Sequence, residues 1–230
     1  MKVHISPGIY QRILDDHSIE GKVLLLPTGN TPIPFYEEIR RRHIDFGSGV
    51  TFNLDEYVNP AEVDSYSHYM RNHLFRHVDV RHYLLDGCAT DPEAECQRYR
   101  QLLAENPIDI AFLGIGVNGH IAFNEPGSEA SCTTRLVVLT ESTQRVNNTR
   151  YNQGLTVGIG EILSSKKIIL MATGEQKAEI ISALVHGQIT TDLPASLLKN
   201  HPDFSVYLDP AAASKLQKGD LVTVFNLFDP

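Results

Sequence analysis

Residues 167–181 read KIILMATGEQKAEII. A short apolar run from Lys167 to Ala172 stops at Thr173 and Gly174, and a stretch with helical patterning follows, carrying Lys177 near its start. The same unit stands near the other end of the chain, where LLLPTGNTP, Leu24 to Pro32, runs from apolar strand to turn to helix. Working outward, strands are expected at Lys22–Leu26, Val50–Leu54, Ile108–Gly114, Lys167–Ala172 and Ser205–Leu208. Helices are expected at Pro32–Arg42, Ser65–Arg76, Asp91–Glu105, Glu175–Gly187 and Ala211–Leu216. Strands that alternate with helices predict an α/β fold: an open, mostly parallel, doubly wound (Rossmann-like) sheet with helices on both faces. In such sheets ligands bind beyond the carboxyl ends of the strands, so the residues just after each strand are the functional candidates.

The 230 residues show no break in composition, no repeat and no long linker, and predict one domain over residues 1–230. A formal charge of −8 repels polyanions and argues against nucleic acid or an anionic membrane as partner. The N-terminal MKVHISPGIYQRI lacks a signal-peptide core, and no segment reaches the roughly 20 apolar residues of a membrane span. Cys88, Cys96 and Cys132, odd in number and without C-x-x-C spacing, fit reduced thiols in a cytoplasmic protein. His73 and His77 are four apart in an expected helix but lack further ligands, so they read as surface histidines and no metal is expected. Composition sets no oligomeric state, and a homo-oligomer stands beside the monomer as an alternative.

Four segments carry chemistry. In the first, the turn Gly29, Asn30 and Thr31 precedes a helix begun by Pro32, which suits the first helical position; freed N–H groups there can hold a phosphate, or simply cap a helix. In TFNLDEY, Thr51–Tyr57, Asp55 ends a strand and can serve as a general base or as a cap. Residues 108–127, IDIAFLGIGVNGHIAFNEPG, match G-x-G-x-x-G literally at Gly114, Gly116 and Gly119. A dinucleotide site needs a helix opening at the last glycine, and Asn124, Pro126 and Gly127 break the chain too soon. The loop reads instead as a proton-transfer site built on His120, with Asn118 and Glu125 to orient it. Lys177 and, in NNTRY, Arg150 are candidate phosphate cations or solvated surface charges.

Taken in order, TGNTP, FNLDEY, GHIAFNEPG, LTVGIG, TGEQKA and PASLLKNH closely resemble the glucosamine-6-phosphate deaminase (isomerase) family, over roughly Val23–Leu208. The resemblance implies conversion of an amino sugar 6-phosphate and water to a ketose 6-phosphate and ammonia, with neither metal nor organic cofactor. By analogy with that family, His120 moves the proton for ring opening, supported by Glu125 and Asn118. Asp55 takes the C2 proton, and Gly29, Asn30, Thr31, Arg150 and Lys177 hold the phosphate. The related 6-phosphogluconolactonases share a Gly-His loop but have no evident use for Asp55. A galactosamine-specific relative would share Asp55 and His120, and sugar-phosphate sensors in transcription regulators would be joined to a helix-turn-helix segment.

Three departures from the family pattern set expectations. Asn118 stands where many members carry Asp, which alters support of a charged His120. Only Tyr151–Gly154 separate Arg150 from LTVGIG, which predicts a small lid. Arg135 is kept but Val137 replaces an expected lysine, which predicts no activation by the N-acetylated sugar phosphate.

Overall fold

The computed structural model describes residues 1–217. In chain order these form β1 (Lys2–Ile5), α1 (Ile9–Asp16), β2 (Val23–Leu26), α2 (Ile33–Arg41), β3 (Val50–Asn53), β4 (Asp55–Tyr57) and α3 (Tyr66–Met70). A π-helical turn, Arg71–Phe75, extends α3 and is followed by β5 (Arg81–Tyr83), α4 (Pro92–Glu105), β6 (Ile110–Leu113), β7 (Arg135–Val138), α5 (Glu141–Val146) and β8 (Gln153–Thr156). The last elements are α6 (Ile159–Leu163), β9 (Lys167–Ala172), a 3-10 turn at Glu175–Lys177, α7 (Ala178–His186) and β10 (Phe204–Leu208).

Seven strands form a sheet in the order β1-β10-β9-β6-β2-β3-β5, every pair parallel. Side chains alternate along each strand, and the two faces bury different helices. Leu24, Leu26, Ile110, Phe112, Ile169 and Met171 join a core with Ile9 and Ile13 of α1, and Phe35, Tyr36 and Ile39 of α2. Their neighbours Leu25, Ala111, Leu113, Ile168 and Leu170 face Tyr99 of α4, Ile162 of α6 and Leu184 of α7. A fully buried Leu or Phe of this kind contributes on the order of 2 kcal/mol, so each strand is anchored from both sides. The doubly wound sheet is the architecture its alternating sequence predicts.

From β2 the chain winds to β3 and β5 on one side, and the later strands β6, β9 and β10 lie on the other. This reversal opens a crevice beyond the carboxyl ends of β2 and β6. A second, antiparallel sheet of order β4-β8-β7 stands over it. Leu54 joins the two sheets: its N–H bonds the Leu26 carbonyl at 3.1 Å, and its own carbonyl accepts from the Val157 N–H at 2.8 Å.

Several expectations need correction. The expected strand Val50–Leu54 ends at Asn53, and Ile108–Gly114 narrows to Ile110–Leu113. The helix expected over Ser65–Arg76 changes from α to π winding after Met70. Residues 211–216 make tight turns, not a helix: the Asp209 carboxylate takes the Ala212 N–H at 2.7 Å, and one turn's length does not offset the cost of helix nucleation. Strands β1, β4, β5 and β8 are not marked by any apolar run long enough to read as a strand, whereas β7 lies in such a run, Leu136–Leu139, and is not among the expected strands. Among the described residues no helix is long and apolar enough to cross a membrane.

Candidate active site

A cleft of about 780 Å³ fills the crevice. It is lined by Pro27–Thr31 after β2, Leu54, Asp55 and Tyr57 after β3, Gly114–Val117 and His120 after β6, and Gln176 and Lys177 after β9. Asn147–Tyr151, following α5, form part of its rim. Four separate strand ends thus deliver their following residues to one place.

TFNLDEY holds two adjacent carboxylates, and strand alternation sends them opposite ways. Glu56 turns from the cleft to the start of α3, where it accepts N–H bonds from Tyr57, Tyr66 and Ser67 at 2.9, 2.9 and 2.8 Å. It is a helix cap. Asp55 faces the cleft, where the Thr28 hydroxyl donates to its Oδ1 at 3.2 Å. Burial, with the nearby Glu56 charge adding to it, pushes the Asp55 carboxyl up to about 7, against the pull of the Thr28 bond. A carboxyl titrating there exchanges protons readily at neutral pH.

On the loop after β6, His120 Nδ1 lies 2.7 Å from Asn118 Oδ1. The Asn118 amide is itself oriented, because its Nδ2 donates to Glu125 Oε2 at 2.9 Å. Its oxygen therefore accepts from Nδ1–H, and the neutral imidazole keeps its lone pair on Nε2. Burial lowers the His120 pKa, partly offset by the Glu125 carboxylate, with Lys177 also lowering it, so the neutral ring is favoured. The ring lies against Gly116, where an added Cβ would come within 2.3 Å of imidazole atoms. Any side chain at 116 would displace the histidine.

Two threonines that spacing does not single out complete this group. Thr140, the N-cap of α5, donates to Glu125 Oε1 at 3.2 Å, and Thr143 Oγ1 lies 3.3 Å from His120 Nδ1. They lie some twenty residues beyond the histidine and reach it only because the chain returns through β7. No local pattern marks such a contact.

The turn after β2 places Gly29 at φ +90°, a conformation that glycine adopts without strain. The N–H groups of Gly29, Asn30 and Thr31 meet no acceptor among the described residues, which leaves them free for an anion. The turn at Thr173–Gly174 looks alike in sequence but differs here, since the Asp209 carboxylate takes the Gly174 N–H at 3.0–3.1 Å. This second unit contributes a cation instead: Lys177 Nζ, half-buried, donates to the Ile115 carbonyl at 2.7 Å at the cleft wall. Burial lowers its pKa. Arg150 lines the rim but stays largely exposed, its guanidinium 3.8 Å from Asp64 and over the Tyr151 ring.

Of the candidates from sequence, Gly29, Asn30, Thr31, Asp55, His120, Arg150 and Lys177 all line this cleft, with Asn118 and Glu125 directly behind the imidazole. Among the described residues no group of three or more His, Cys, Asp or Glu side chains is arranged to hold a metal ion. His73 lies tilted against the Tyr69 ring, and His77 Nε2 meets the Asn72 carbonyl at 3.1 Å.

Unpaired backbone N–H groups facing a neutral-pH carboxyl at the switch point of a doubly wound sheet are the parts of an acid–base enzyme for an anionic small molecule. Comparison with known proteins narrows this. The family model described as "Glucosamine-6-phosphate isomerases/6-phosphogluconolactonase" matches residues 11–206, and the chain belongs to that family. Glucosamine-6-phosphate deaminase of Lactobacillus delbrueckii subsp. bulgaricus is 46% identical over 207 residues, covering 86% of this chain and 88% of the relative. The enzyme of the same name from Lactococcus lactis subsp. cremoris is 45% identical over 208 residues, with 86% and 88% covered. A solved structure of a monomeric glucosamine-6-phosphate deaminase superposes with a TM-score of 0.87 at 39% identity, covering 94% of this chain and all of that one. The 6-phosphogluconolactonase of Thermotoga maritima shares the fold, with a TM-score of 0.73 at 18% identity, covering 90% and 98% of the two chains.

Proposed function

We propose that residues 1–230 act as one deaminase/isomerase domain that converts D-glucosamine 6-phosphate and water to D-fructose 6-phosphate and ammonia. The observation that carries this reading is Asp55, a buried carboxyl held near neutrality in the same cleft as an imidazole with a free Nε2. Deamination at C2 requires a base for a carbon-bound hydrogen, whereas lactone hydrolysis does not. The identities near 45% to deaminases support the same choice.

The chemistry follows from the groups. In the closed ring C1 carries no carbonyl, so the C2 hydrogen is not acidic and the ring opens first. His120 Nε2 takes the C1 hydroxyl proton and returns a proton to the ring oxygen, while Asn118 and Glu125 hold its tautomer. The aldehyde now acidifies C2, and Asp55 removes that proton to give an enolamine. Return of the proton to C1 gives an imine at C2, to which water adds, and ammonia leaves. Each positioned acid–base group is worth about 10²- to 10⁴-fold, and fixing the phosphate adds the orientation on which those steps depend. The turn Gly29–Thr31 with Lys177 and Arg150 supplies that anchor.

The deciding experiment incubates the protein with glucosamine 6-phosphate, galactosamine 6-phosphate and 6-phosphogluconolactone, and follows ammonia and ketose phosphate. Ammonia from the gluco epimer, lost in Asp55→Asn, is expected. Ammonia from the galacto epimer alone would reassign the substrate, and lactone hydrolysis without ammonia would sink the deaminase reading.

A further inference from the structure

The carbonyls of the turn after β2 are held by three tyrosines. Tyr36 Oη donates to the Pro27 carbonyl at 2.5 Å, Tyr69 Oη to that of Gly29 at 2.6 Å, and Tyr10 Oη to that of Thr31 at 2.6 Å. Every second carbonyl of the turn is thus fixed by a phenol from a different helix: α2, α3 and α1 in turn. None of the three rings lines the cleft, whereas the turn itself does. They stand behind it, Tyr36 fully buried and the other two packed against the same core.

From this arrangement we infer that Tyr10, Tyr36 and Tyr69 are positioning residues that pre-set the phosphate-binding turn. The inference rests on the reading of this cleft as a sugar-phosphate site.

In a planar trans peptide the C=O and N–H point in opposite directions. Holding the Gly29 carbonyl back on Tyr69 aims the Asn30 N–H forward, and holding Pro27 on Tyr36 does the same for Thr28. The Asn30 carbonyl accepts from the Ile33 N–H at 3.4 Å, which aims the Thr31 N–H likewise. The peptide after Thr31 has no N–H because Pro32 follows, so Tyr10 fixes the exit of the turn rather than a donor. A carbonyl that accepts a hydrogen bond also polarises its peptide, which makes the opposite N–H a stronger donor to an anion. Burial raises the pKa of all three phenols, so they remain protonated donors at any pH at which the protein works. Gly29 at φ +90° gives the turn its curvature but also leaves it free to relax. The phenols supply the missing rigidity.

The test uses Tyr10→Phe, Tyr36→Phe and Tyr69→Phe, with Tyr207→Phe as control. Tyr207 donates to Asp16 at 2.9 Å, meets His17 Nε2 at 2.9 Å and bonds no carbonyl of the turn, so the control removes a phenol of the same core without touching the turn. Two quantities are read: the Kd for inorganic phosphate by calorimetry, and kcat and KM for glucosamine 6-phosphate. Each of the three variants is expected to raise the phosphate Kd and the KM roughly fivefold to twentyfold, with kcat within about twofold and the control unchanged. Tyr36 is fully buried, and if its variant fails to fold, Tyr10→Phe and Tyr69→Phe decide the matter. Phosphate Kd and KM within twofold of the parent in the folded variants would overturn the inference, as would a parent that binds no phosphate. If the parent binds phosphate but releases no ammonia, the functional reading fails while the phosphate Kd still judges the tyrosines.

Discussion

Asp55 is buried against its own charge. Its native carboxyl titrates at about 7 and an unfolded aspartate near 4, so the native state holds the extra proton between those values and loses stability as pH rises across them. Asp55→Asn removes this cost. Melting from pH 4 to pH 8 should show the variant gaining on the parent through that window and levelling above pH 7, by at most about 4 kcal/mol. A constant difference at all pH values would show that Asp55 titrates normally. Ammonia release should fall at least about 10²-fold in the same variant, and the parent's kcat/KM should rise with pH up to about 7. Asn118→Asp is a second test. It sets a carboxylate 2.7 Å from His120 Nδ1 and removes the amide proton that Glu125 accepts. The imidazole pKa, followed by NMR, should rise by about 1 unit or more. At this scale the sequence was readable where partners share a loop, as His120, Asn118 and Glu125 do. Thr140 and Thr143 were not, since only the return of β7 and α5 brings them to that loop.

The loop after β6 works as a unit because its backbone is tied at both ends: the Gly116 N–H bonds the His120 carbonyl at 2.9 Å, and the Ala195 N–H bonds that of Gly119 at 3.0 Å. The imidazole packs on the bare Cα of residue 116. Gly116→Ala should therefore cost about 10²-fold or more in kcat through displacement of the ring, with the melting temperature lowered far less in proportion. An unchanged kcat would mean that the imidazole position is not critical. Elements of the main sheet were legible wherever an apolar run met a Gly or Pro turn, as at Val23–Leu26 and Lys167–Ala172. The small sheet was not. Two of its strands carry mixed sequences, DEY and QGLT, and the sheet packs on the cluster of Tyr57, Phe123 and Leu139, which no local pattern announces.

At the scale of the whole molecule, α1 and α2, which share one face of the sheet, are locked together by charge as well as by apolar contact. Glu38 on α2 accepts from Arg41 Nε at 2.8 Å and Arg42 Nε at 2.5 Å, and Arg42 reaches Asp15 on α1 at 2.7 Å. The Arg41 bonds, with those of Arg42, lower the Glu38 carboxyl to about 2. Stability from this group is present above the unfolded value near 4.5 and is lost as pH falls toward 2. Glu38→Gln should lower the melting temperature by about 2–4 °C at pH 7 and by progressively less as pH falls toward 2. The N-acetylated sugar phosphate should leave ammonia release unchanged, because Val137 packs on the aromatic cluster and Arg135 is bonded to Asn124 at 2.8 Å. Activation in an assay with added effector would sink that expectation. The global fold was the most legible feature of all, since buried parallel strands must be apolar on both sides. Leu54 bridges the two sheets with its own backbone, so the segment 50–57 keeps count between the anion turn and the base. A residue inserted or deleted there would exchange Asp55 and Glu56 across the strand, silencing the enzyme while leaving its core composition intact. This stretch is therefore constrained in number as well as in its buried side chains.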